Sequence, residues 1–285
     1  ARRLGLAPRA ALIATLVAAI VPIGLTSLYY GHTAQIFGQA LMPPLALALL
    51  RAYQRNRWRD WLAAGALLCM ALLSHIGVSI LALAWLGLLW LALGAVAARR
   101  RAKPAARRRE EAEASAWRRL TATLAISAAL GLLLVHAPLA AVALQGLRHA
   151  GAQVGAEATA PAYNLIARAF WIAYNPLGIL LALPGMLLLP RLQGAVGALV
   201  GSWLAACALF WAVEMWSGLQ VRYLIFMTPL VAIACGQLLD RLARRGAAGR
   251  VAALAVLGLV LAQTWLLWHA GAFDNVGPSM VPLLR

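Results

Sequence analysis

Apolar runs long enough to cross a bilayer recur along this chain, and basic residues gather in the gaps between them. Ala10–Leu28, Ile80–Ala98 and Val251–Leu267 contain no charged residue. About 20 apolar residues span a hydrocarbon core as a helix, because each adds only about 1.5 Å of rise. No water is available there to satisfy backbone N–H and C=O groups, so each segment must close its own hydrogen bonds. The runs are continuous in Leu and Ala and do not alternate every second residue, which argues against a transmembrane β-barrel. The expected fold class is therefore all-α, a polytopic transmembrane helical bundle. Composition agrees: 64% of the residues are hydrophobic and 12% charged, outside the range of ordinary soluble domains.

Periodicity and charge predict nine spans, at roughly 10–29, 35–50, 60–75, 79–98, 120–145, 169–189, 194–214, 222–240 and 251–269. The chain is read as one transmembrane helical domain over 1–285, with a basic cytoplasmic loop at 99–119 and an outer loop at 146–168. Span two carries Pro43-Pro44, and span six carries Pro176 and Pro184. A proline removes one N–H from the helical ladder and predicts a kink or interruption. All but four of the 25 Lys and Arg residues fall in one alternating set of inter-span segments. Arg2, Arg3 and Arg9 precede span one, and Arg51, Arg55, Arg57 and Arg59 follow span two. A further group lies between Arg99 and Arg119, then Arg191, then Arg241, Arg244, Arg245 and Arg250. Only Arg148, Arg168, Arg222 and Arg285 fall on the other side. The positive-inside rule then predicts a cytoplasmic N-terminus and an outer C-terminus. Trp58, Trp61 and Trp117 fall at the predicted cytoplasmic interface, and Trp171, Trp216 and Trp268 near the outer one.

These placements give the net charge of +17 its meaning. Arginines that flank apolar spans are loop anchors, so the lipid bilayer is the expected partner and nucleic acid is not. Cys69, Cys207 and Cys235 all lie in apolar runs and read as small buried hydrophobes. The spans contain no ionisable residue near their middles; His136 and Glu214 lie towards outer ends. That argues against an ion-coupled transporter, whose relays need intramembrane acids or bases.

Polar residues on the predicted outer side form the candidate site. His32, Gln35 and Gln39 are spaced three and four apart and share one helical face. They can hydrogen-bond a sugar or phosphate, or bridge to neighbouring helices. His75 and Ser79 flank Gly77 in the short connection between spans three and four. His75 can line a pocket or simply hold the turn. Glu214 closes span seven and Arg222-Tyr223 opens span eight. Glu214 and Arg222 can form a structural ion pair, or Arg222 with Tyr223 can grip a phosphate through the planar guanidinium fork. Glu157 and Asp274 read as solvated loop acids, and no spacing pairs a Ser and a His with an acid.

Three segments resemble bacterial integral-membrane glycosyltransferases of the C-type superfamily, the group of protein mannosyltransferases and lipid A aminoarabinose transferases. They are Tyr30-Gly31-His32-Thr33-Ala34-Gln35-Ile36-Phe37-Gly38 running into Pro43-Pro44-Leu45-Ala46-Leu47, then Leu72-Leu73-Ser74-His75, then Arg222-Tyr223-Leu224-Ile225-Phe226-Met227-Thr228-Pro229-Leu230. The resemblance implies inverting transfer of a sugar from a polyprenyl-phosphate donor, on the outer side, to a lipid, glycan or protein acceptor. It assigns Arg222 to the lipid phosphate and His32 and His75 to the pocket lining. Such enzymes carry a catalytic acid, often an acidic pair, in their first outer loop. Here the first outer loop, Tyr30–Ala34, has no carboxylate. The chain starts at Ala1 and not at Met, so the catalytic loop is expected upstream, in a longer protein. The catalytic residue is left unassigned. The missing carboxylate would take the acceptor proton or hold a divalent metal. The alternative function is a non-catalytic lipid-linked-glycan flippase or transporter, which calls for polar residues across the midplane. One Lys against 24 Arg residues associates with a GC-rich bacterial genome, and so with a bacterial plasma membrane.

Overall fold

A computed structural model of the protein describes residues 7–20, 33–101, 107–131, 133–134, 174–188, 194–217 and 224–272. Among these the chain is helical, without strands. The helices are α1 (Pro8–Ile20), α2 (Thr33–Ala40), α3 (Met42–Arg55), α4 (Trp58–Ser74), α5 (Ile76–Arg101), α6 (Arg107–Gly131), α7 (Pro176–Met186), α8 (Gly194–Ser217), α9 (Leu224–Ala243) and α10 (Ala247–Ala272). Five stretches are long and apolar enough to cross a membrane: Ile36–Arg55, Ile76–Ala98, Gly194–Val213, Phe226–Ala243 and Ala247–His269.

The predicted proline interruptions appear, and one expected loop is helical. Span two is interrupted beside the proline pair. The helix breaks at Leu41, and the prolines fall in the first turn of α3, where the missing N–H would be unsatisfied anyway. Helix α3 then runs through Arg51 to Arg55, so these two arginines are helical. The expected basic loop 99–119 is also helical wherever it is described, at 99–101 and from Arg107 onward. Its Arg, Ala and Glu residues are strong helix formers. Finally, Tyr174 is helical, Asn175 breaks the helix and α7 begins at Pro176, the interruption predicted inside span six. The expected outer loop 146–168 and the end of span five lie outside the described residues.

The chain divides into two compact units. One comprises Ala1–Ile36, Ala158–Arg191 and Trp211–Arg285. Its centre is α9, whose small residues let backbones come close. A side chain on Gly236 would sit 2.6 Å from the Ala10 carbonyl oxygen and 2.9 Å from Ala14 of α1. One on Gly185 of α7 would run into the Ala234 backbone of α9. Around this seam Val17, Tyr174, Ile179, Val231 and Cys235 are buried together. Between helices, lipid gives no hydrophobic advantage, so close packing of small residues is the available source of attraction.

The other unit comprises Phe37–Glu157 and Leu192–Phe210. Helices α3, α4, α5 and α6 run alternately up and down in it, joined by short connections between α3 and α4 and between α4 and α5. Leu45, Leu68, Leu81, Leu86, Leu89 and Leu120 are buried. Trp85 of α5 meets Trp203 of α8 at 4.7 Å between ring centroids. A void of about 10 Å³ lined by Leu49, Leu50, Tyr53, Leu89 and Leu93 has room for about one water. It is far too small for a sugar.

Candidate functional site

His75 is the expected site residue whose side chain the structure describes. It is the single residue between α4 and α5, in extended conformation at φ −166° and ψ 138°. A one-residue link leaves the first N–H groups of α5 without partners unless a side chain turns back to them. The imidazole does so: Gly77 N–H donates to His75 Nδ1 at 3.0 Å. Nδ1 is thus the acceptor, which assigns the proton of the neutral ring to Nε2. Gly77 is needed for the space beneath the ring and not for a turn conformation. A side chain there would lie 3.2 Å from Nδ1.

The neighbouring hydroxyls complete this polar turn. Buried Ser79 donates from Oγ to the Leu72 carbonyl at 2.8 Å, and its own N–H donates to the His75 carbonyl at 3.0 Å. Ser74 Oγ donates to the Ala71 carbonyl at 2.6 Å. Helix α2 lies against this turn through Gly38, where an added side chain would meet Ser74 Oγ and Val78. Gln39, next along α2, is buried. The structure therefore brings His75, Ser74, Ser79 and the Gly38-Gln39 face of α2 together. Gln35 and Glu214 lie on α2 and α8, with side chains outside the described residues. His32, Arg222 and Tyr223 lie outside them altogether, as does His136.

Sequence reasoning missed a second polar centre, in the other unit. Asn175 is buried at the start of α7 with φ 51° and ψ 154°, a region that costs a non-glycine residue about 1–3 kcal/mol. Its surroundings enforce that geometry. Asn175 Oδ1 accepts from Gly178 N–H at 2.6 Å. Its Nδ2 donates to Thr264 Oγ1 at 2.9 Å and to the Val260 carbonyl at 3.2 Å. The donors of the first α7 turn can be accounted for in full. Pro176 has none, Leu177 N–H donates to Gln263 Oε1 at 3.3 Å, Gly178 is served by the Asn175 side chain, and Ile179 N–H donates to the Asn175 carbonyl at 3.2 Å. Cys235 Sγ adds a contact to the Gly178 carbonyl at 3.4 Å. A helix start in mid-unit with every donor answered by protein is a closed joint, not a ligand cradle. The local signal was Asn before Pro, a capping residue followed by the favoured first helical residue.

Among the described residues no three His, Cys, Asp or Glu side chains are grouped to hold a metal ion. The cysteines are free, with Cys207 and Cys235 buried and Cys69 partly so.

Residues 1–106 match the family model for dolichyl-phosphate-mannose-protein mannosyltransferases. No match was found among curated proteins or solved structures. The matched stretch contains α2, the proline pair and the His75 turn, and it supports the C-type integral-membrane glycosyltransferase family. The match is a likeness over part of the chain, and the five helices long and apolar enough to cross a membrane agree with a multi-pass membrane protein. The third resembling segment, at 222–230, lies beyond the matched residues.

Proposed function

We propose that this chain is the membrane-embedded part of a glycosyltransferase that moves a sugar from a polyprenyl-phosphate donor to an acceptor on the outer side of the bilayer. The carrying observation is the family match over residues 1–106, which covers two of the three segments that resemble such enzymes. In this reading the N-terminus is cytoplasmic, and the polar turn at His75 faces outward. Arg222 and Tyr223 contact the lipid phosphate, with Glu214 beside them. His32, Gln35 and His75 line the sugar side. The catalytic base is not assigned to a residue.

The test is sugar transfer in membranes containing the protein, with a polyprenyl-phosphate mannose donor. Charge-assisted hydrogen bonds contribute enough that Arg222→Ala should lower transfer by about 10- to 100-fold at equal protein level. Arg222→Lys keeps the charge but not the bidentate fork, and should fall between. Unchanged transfer in Arg222→Ala removes the phosphate role.

A further inference from the structure

One end of the unit built on α3–α6 is organised by a single residue that the glycosyltransferase reading does not use. Asn56 joins α3 to α4 with φ 51° and ψ 33°, and its N–H caps α3 on the Ala52 carbonyl. Its Nδ2 donates to Ser115 Oγ of α6 at 3.3 Å, and its Oδ1 accepts from Trp61 Nε1 at 3.2 Å. Its carbonyl accepts from Arg119 at 2.6 Å. These bonds fix the 55–59 turn onto the 115–119 segment of α6. Alongside, Trp90 and Trp117 stack at 4.9 Å, and Trp90 Nε1 donates to Thr121 Oγ1 at 2.9 Å.

The charges carried by this platform are unbalanced. Asp60 is taken by Arg51 at 2.9 Å. Arg55, Arg57, Arg59 and Arg118 are exposed, and no carboxylate among the described residues pairs with them. Arg59 lies 5.6 Å from the ring centroid of Trp58, which is itself 62% exposed. Guanidinium groups carried on this anchored turn beside an exposed indole suit the boundary between acyl chains and headgroups. The ring enters the interface while the forks meet phosphate oxygens.

We infer that this end of the unit binds the headgroups of anionic glycerophospholipids of the surrounding bilayer. It is not the donor site. Helix α4 spans 17 residues, so this platform and the His75 turn are about 25 Å apart along it. The inference needs membrane insertion but not the transferase reading.

Native mass spectrometry of the full detergent-solubilised chain, offered equimolar phosphatidylglycerol and phosphatidylcholine, tests it. Phosphatidylglycerol should bind about tenfold or more preferentially. The combined variant Arg55→Gln, Arg57→Gln, Arg59→Gln and Arg118→Gln should bring the two lipids to parity. Arg241→Gln with Arg250→Gln, in the other unit, should leave the preference intact. If the combined variant does not fold, replacing the same four residues by Lys keeps charge without the fork and should reduce the preference only partly. Retention of the full preference by the combined glutamine variant overturns the inference. So does equal loss in the Arg241/Arg250 variant, which means diffuse charge alone, and so does displacement of phosphatidylglycerol by equimolar polyprenyl phosphate, which marks the donor's own site.

Discussion

Asn175 shows how much one residue can hold when it is buried and strained. Asn175→Ala removes the cap on Gly178 and strands the partners on α10, so it should destabilise by about 2–4 kcal/mol. Asn175→Gly relieves the backbone but loses the same bonds, and should cost about 1 kcal/mol less. Unfolding of the purified protein in detergent would rank the two; a glycine variant as unstable as the alanine variant would show that strain is not stored there. His75 gives a second residue-scale test. His75→Asn can still accept from Gly77 N–H, whereas His75→Leu cannot and should lose about 0.5–2 kcal/mol. Should transfer fall in the asparagine variant while stability holds, the ring lines the pocket as well as holding the turn. The His75 contact was legible beforehand as one of two readings, because Gly77 is only two residues away. The Asn175 network was not, because its partners Val260 and Thr264 lie 85 and 89 residues along the chain.

At the scale of elements, the seam between α1 and α9 is set by small residues. Gly236→Leu has no room against Ala10 and Ala14 and should cost about 3 kcal/mol or more through overpacking. Gly258→Ala, where an added side chain meets nothing, should be neutral or slightly stabilising. A thermal-shift comparison separates them, and equal effects would mean that the seam is looser than drawn. Continuous apolar runs made α5, α8, α9 and α10 readable in advance, since nothing but a helix satisfies such a backbone in lipid. The ends of elements were harder. Arg51, Arg55 and Arg107 read as loop by charge, yet they are helical, because charge decides which solvent a residue meets and not its backbone conformation.

For the whole molecule, the charge asymmetry leads to a prediction about sidedness. A reporter active only in the cytoplasm, fused after Ala105, should be active, and the same reporter fused after Arg285 should be silent. The reverse pattern would invert the proposed orientation and place the His75 turn on the cytoplasmic face. Fold class was fully legible at this scale. The site was legible only in part, since sequence separation does not tell which polar residues on one side of a membrane meet. The Gly38–Ser74 approach follows from how α2 lies on the α4–α5 turn.

That turn has a consequence for how the protein is made. Helix α4 carries Arg59 and Asp60 in its first turn and is only 17 residues long, so it is a poor membrane-crossing segment by itself. Helix α5 is apolar along the 23 residues from Ile76 to Ala98. With His75 alone between them, the two helices are tethered end to end, so α4 is expected to enter the bilayer with α5 as a hairpin, the strongly apolar second arm carrying in the weaker first arm.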